Sequence, residues 1–130
     1  MCVHSYRKVE KSERSYRLGE LARQLDIIAD IVSKSDGPWA VGSEPSFADA
    51  TLLPTFTFMK YLLPKYFGWE EVFEKRGRLQ ALWDRWMSDE MCKAVSDEVH
   101  GALQKWENDG RFENVGITTD VADKSYTWAH

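Results

Sequence analysis

"GPWAVGSEPSFADATLLP", residues 37–54, decides the fold. Ser46 stands where a helix N-cap belongs. Its hydroxyl can accept from the backbone N–H of Asp49, and the Asp49 carboxylate can reach back to the N–H of Ser46. This is the short-chain form of a capping box, and it sets a negative charge at the positive end of a helix. The run after Ser46 is apolar nearly all round: Phe47, Ala48, Ala50, Leu52, Leu53, Phe56, Phe58, Met59 and Leu62. Such a pattern predicts a central helix from about Phe47, buried in the middle of a bundle. A buried helix start cannot leave its amides to water. Ser46 and Asp49 therefore read as a structural pair rather than a catalytic one, and no His lies near them in sequence. Pro54 predicts a bend, and Pro64 an end or a second kink.

Upstream, residues 5–35 contain no Pro and a single Gly. Leu18, Leu21, Leu25, Ile28 and Val32 recur at spacings of three and four, the stripe of an amphipathic helix. Gly37 and Pro38 stop it. Its first half, residues 6–17, is polar and is predicted to project into solvent or toward a partner. Downstream, "KYFGWEEVFEKRGR" predicts a loop with one helical turn. Leu79, Leu82, Trp83, Trp86 and Met87 mark a short amphipathic helix. A new start at Ser88, Asp89 and Glu90 leads into a stripe of Met91, Val95, Val99, Ala102, Leu103 and Trp106. No strand pattern, repeat or low-complexity segment is found. The fold class is all-α, a bundle of about four to five helices, with a helical domain over residues 1–112 and an irregular tail over 113–130.

Hydrophobic residues make up 43% of the 130 and charged ones 29%, a globular balance for one core. The net charge of −4 carries no nucleic-acid footprint. No stretch reaches the roughly 20 apolar residues of a membrane span, and no signal peptide is visible. Two cysteines, Cys2 and Cys92, make no disulfide framework, which points to a reducing, intracellular compartment. The cytoplasm is the default, with an organelle open. Cys2 and His4, even with Cys92, His100 and His130, lack the spacing of a metal site. Cys92 falls beside an apolar stripe, as a structural thiol does.

At "WAVGSEPSFADATLLP" the sequence resembles the C-terminal helical domain of glutathione S-transferases. That family has a loop ending in Gly, then Ser-x-x-Asp opening its central buried helix; here these are Gly42, Ser46 and Asp49. "FMKYLLPKYFGW", "RLQALWDRW" and "DEVHGALQKWENDGRF" continue the resemblance, which covers residues 18–112. It implies a domain that shapes a hydrophobic pocket beside an N-terminal thioredoxin-like domain, which binds glutathione and activates its thiol. This chain shows no βαβ alternation, and only one helix precedes the Gly loop where the family has two. The chain itself therefore carries no catalytic residue and no cofactor, and glutathione enters as co-substrate only with the other domain.

The resemblance implies a partner, either a thioredoxin-like domain or another protein, covering an exposed apolar face. It also implies a hydrophobic small molecule as ligand, and a dimer or complex subunit as assembly. The aromatic residues Tyr6, Tyr16, Tyr61, Tyr126 and Trp128 are the candidates for the ligand or partner surface. The alternative function is non-enzymatic: such helical domains also serve as docking modules in larger assemblies.

Overall fold

The computed structural model describes residues 10–122, and all of the regular structure there is helical. The helices are α1 (Lys11–Ser33), α2 (Phe47–Phe67), α3 (Gly77–Met87), α4 (Glu90–Asn108), α5 (Arg111–Asn114) and α6 (Ile117–Ala122). Four long helices make the bundle, and two short ones extend it beyond the expected count. Tyr6, Tyr126 and Trp128 lie outside the described residues, as do Cys2, His4 and His130.

α1 buries Leu18, Leu25 and Val32, with Leu21 and Ile28 half-buried on the same core. This is the stripe read from the sequence. Its polar first half does not simply project into solvent. Arg14 Nε donates to Asp120 Oδ2 at 2.9 Å, and its Nη2 donates to the Val115 carbonyl at 2.6 Å. These bonds pin α1 to α6, so residues 117–122, expected within an irregular tail, form a docked helix with Ile117 and Asp120 buried.

α2 packs against α3, α4 and α6 and is the axis of the bundle. Leu53, Phe56, Met59 and Leu63 face the core at spacings of three and four. The expectation that α2 is buried all round, from Phe47 onward, is corrected here. Phe47 is 93% exposed, and Ala50, Thr51 and Thr55 are exposed as well. No neighbouring helix covers that side of the first two turns. Pro64 does not end the helix, which runs on to Phe67 and stops at Gly68, whose φ of 64° suits a residue without Cβ. The chain then turns Trp69, Val72 and Phe73 back into the core.

On α3, Leu79, Leu82 and Trp86 are fully buried. Phe56 meets the Trp86 ring at a centroid distance of 5.4 Å and the Phe73 ring at 4.8 Å. α4 starts at Asp89, whose carboxylate accepts from the Cys92 N–H at 3.0 Å. Its predicted stripe is corrected too. Met91 is 80% exposed and Val95 is exposed, while Ser96 and Leu103 are the buried positions. Ser96 is tolerated inside because its hydroxyl shares a 3.0 Å hydrogen bond with Thr57 of α2.

Candidate functional site

The bundle is organised around one buried carboxylate. Asp49 is 3% exposed. Its Oδ1 accepts from the Ala40 N–H at 3.0 Å and from the Trp86 indole Nε1–H at 2.8 Å. Its Oδ2 accepts from the Ser46 N–H at 3.0 Å and from the Ser46 hydroxyl at 3.1 Å. Ser46 and Asp49 take up the capping-box arrangement. The carboxylate arm carries it, because the Ser46 hydroxyl makes no well-formed bond to a helix amide and donates to the carboxylate instead. Both carboxylate oxygens of Asp49 are engaged with its own chain.

The loop before α2 is held just as tightly. Ser35 Oγ accepts from the Gly42 N–H at 2.7 Å. Arg78 of α3 donates to the carbonyls of Gly37 and Trp39 at 2.8 and 2.9 Å. The Arg85 guanidinium stacks 4.8 Å from the Trp39 ring centroid. Gly42 has a φ of 81°, and a Cβ on Gly37 would lie 2.0 Å from the Gly42 carbonyl oxygen.

Two apolar depressions flank the start of α2. The first is a groove of about 380 Å³ between α1 and α2, with walls that include Ile28, Ile31, Val41, Phe47 and Leu52. The second is a cleft of about 310 Å³ between α2 and α4, lined by Pro45, Ala50, Leu53, Met91, Cys92 and Val95 together with the polar residues Ser46, Asp49 and Asp89. Both lie at the small end of the range for ligand pockets. Burial pushes the Cys92 thiol up to about 11, with the Asp89 and Asp49 carboxylates adding to the shift. A shift in that direction favours the protonated thiol at neutral pH over the thiolate that acts as nucleophile. The cleft is shaped to hold an apolar group.

Of the aromatic candidates only Tyr16 and Tyr61 lie within the described residues, and neither lines either depression. Tyr16 is exposed on α1. Tyr61 is committed elsewhere. Its hydroxyl donates to Glu107 Oε2, the Tyr66 hydroxyl donates to Glu107 Oε1 at 2.6 Å, and Lys65 Nζ lies 2.6–2.7 Å from both oxygens. This cluster bolts α2 to α4. The Lys65 bond first, then the two phenols, hold the Glu107 carboxyl down at about 2. Burial and the same carboxylate hold both phenols above their ordinary range. Sequence reasoning missed Phe47, Met91 and Val95 as surface residues, although all three stand beside the motif that it singled out. Among the described residues no group of His, Cys, Asp and Glu is placed to hold a metal, and no helix is long and apolar enough to cross a membrane.

Neither a curated protein nor a solved structure matches the chain. A family model described as "Glutathione S-transferase, C-terminal domain" matches residues 13–86, from the first turn of α1 to the buried Trp86. The match spans more than half of the chain and contains the loop, the Asp49 hub and the axial helix, so the chain belongs to the glutathione S-transferase C-terminal domain family.

Proposed function

We propose that the chain is the apolar-substrate half of a glutathione S-transferase-like protein. The observation that carries this reading is the α2–α4 cleft: largely apolar walls, an Asp49 carboxylate taken up by Ala40, Ser46 and Trp86, an Asp89 that caps α4, and a thiol whose pKa burial raises. Such a cleft binds without activating. Joined to a thioredoxin-like domain that supplies glutathione and its thiolate, it would hold the hydrophobic electrophile for conjugation or reduction. Alone, the chain does not turn glutathione over.

Equilibrium binding of an apolar aryl fluorophore, anilinonaphthalene sulfonate, tests this reading. Met91→Ser and Val95→Ser should weaken binding severalfold, and glutathione resin should not retain the chain. Retention on that resin, or dye binding that ignores both substitutions, would contradict it. The non-enzymatic docking role is the second reading, favoured by the separate apolar groove on the α1 side of α2.

A further inference from the structure

The α2–α4 cleft carries charge of one sign only. Ala50 and Leu53 on α2 face Met91 and Val95 on α4 across it, and the charged side chains in its lining are two carboxylates, Asp49 and Asp89. Among the described residues no Lys, Arg or His lines it.

The two carboxylates are not equivalent. Asp49 is 3% exposed, and its oxygens take four hydrogen bonds from Ala40, Ser46 and Trp86. Asp89 is half-buried, and its Oδ1 takes the Cys92 N–H at 3.0 Å. That amide foremost holds the Asp89 carboxyl below its usual range, so it is ionised at neutral pH. A carboxylate accepts through about four lone-pair sites. Asp89 has the exposure to offer one to a bound molecule, and Asp49 does not. The neighbouring cations have other partners. Arg85, the cation that acts on Asp89, stacks 4.8 Å from the Trp39 ring centroid, and Lys93 pairs with Asp97 at 3.0 Å. Glu44 and Glu90, next in sequence to the lining residues Pro45 and Asp89, are both exposed and add to the negative sign.

We propose that the cleft selects its ligand by charge, taking a small aryl molecule that carries a cationic nitrogen, with its ring between Ala50, Leu53, Met91 and Val95 and the nitrogen against Asp89. The walls reward any apolar body alike, in proportion to the area removed from water. The carboxylate attracts a cation and repels an anion over the same few ångströms, more strongly than in bulk water because the walls exclude solvent. A volume of about 310 Å³ limits the body to a small aromatic group. The proposal rests on the reading of this cleft as the seat of the apolar ligand and adds the charge of that ligand.

Displacement of an uncharged dye, N-phenyl-1-naphthylamine, followed by its fluorescence, tests it. The competitors are 1-naphthylmethylammonium and 1-naphthoate, which share a body and differ in sign. The ammonium should bind at least ~fivefold more tightly than the carboxylate. Asp89→Asn should bring that ratio close to one. Asn caps a helix as well as Asp does, so the circular dichroism of the variant should match that of the wild type. Met91→Ser should weaken the dye and both competitors together and leave the ratio unchanged. Dye binding that responds to Met91→Ser, with equal displacement by the two competitors, a preference for the carboxylate, or a ratio that Asp89→Asn does not move, overturns the charge selection and leaves the cleft in place. Dye binding that ignores Met91→Ser overturns the reading of the cleft, and the proposal with it.

Discussion

The indole Nε1–H of Trp86 donates to Asp49 Oδ1 at 2.8 Å, across 37 residues of sequence, with the Trp86 ring fully buried and the carboxylate 3% exposed. This bond ties the start of α2 to the end of α3. With the Ala40 and Ser46 amides on the same carboxylate, it joins loop, axial helix and third helix at one point.

Asp49→Ala leaves three donors without their acceptor: the buried Trp86 indole and Ala40 amide, and the half-buried Ser46 amide. Each unsatisfied group costs on the order of 1–3 kcal/mol, so a total loss of about 3–5 kcal/mol is expected. Ser46→Ala removes only the hydroxyl and should cost about 0.5–2 kcal/mol. Trp86→Phe, which keeps a ring but loses the donor, should fall between them. Urea titrations of the three variants check the order.

The two loop glycines should fail for different reasons. Gly37→Ala drives a Cβ to 2.0 Å from the Gly42 carbonyl oxygen, so the backbone must move. Gly42→Ala meets nothing within 4 Å but forces a side chain onto a φ of 81°, a cost of roughly 1–2 kcal/mol. Gly37→Ala should be the more destabilising of the two in the same titration.

Glu107 gives an acid-side signature. Its carboxyl is held at about 2 in the folded chain, against an ordinary value of 4.5. A depressed carboxylate contributes stability above its unfolded value and loses it as the pH falls toward the folded one. The melting temperature should therefore drop between pH 4.5 and about 2. Glu107→Gln should flatten that drop, modestly, because the side chain is 26% exposed. Thermal melts across this range test it, and parallel profiles for the two proteins count against the cluster.

Cys92 should be a slow thiol. In a Cys2→Ser background, iodoacetamide should label it far more slowly than a free thiol at neutral pH. The rate should climb only as the pH approaches about 11. Rapid neutral labelling would show a thiolate in the cleft and reopen nucleophilic chemistry there.

The core of the bundle was legible wherever burial obeys the helical period. Leu18, Leu25 and Val32 on α1, and Leu79, Leu82 and Trp86 on α3, declare themselves by spacing alone. The reach of Asp49 back to Ser46 was legible for the same reason, being local. Its bonds to Ala40 and Trp86 were not, because nothing in the order of residues says which distant donor a carboxylate will meet.

Hydropathy also misled at Phe47, Met91 and Val95. An apolar residue in the first turns of a helix is buried only if another element lies over it, and here none does. Ser96 reversed the error, a polar residue made internal by Thr57. The Tyr61–Glu107–Tyr66 bolt spans 41–46 residues, and it commits Tyr61, one of the aromatic candidates, to a helix–helix fastening that no local pattern announces.

Hydrogen exchange of the Trp86 indole N–H, followed by NMR, tests the central claim most directly. If Asp49 holds the loop, α2 and α3 together, that proton should exchange only as fast as the whole chain unfolds, and Asp49→Ala should accelerate it beyond the general loss of stability. An indole proton that exchanges within the dead time in the wild-type chain, while the α2 amides stay protected, would contradict the account.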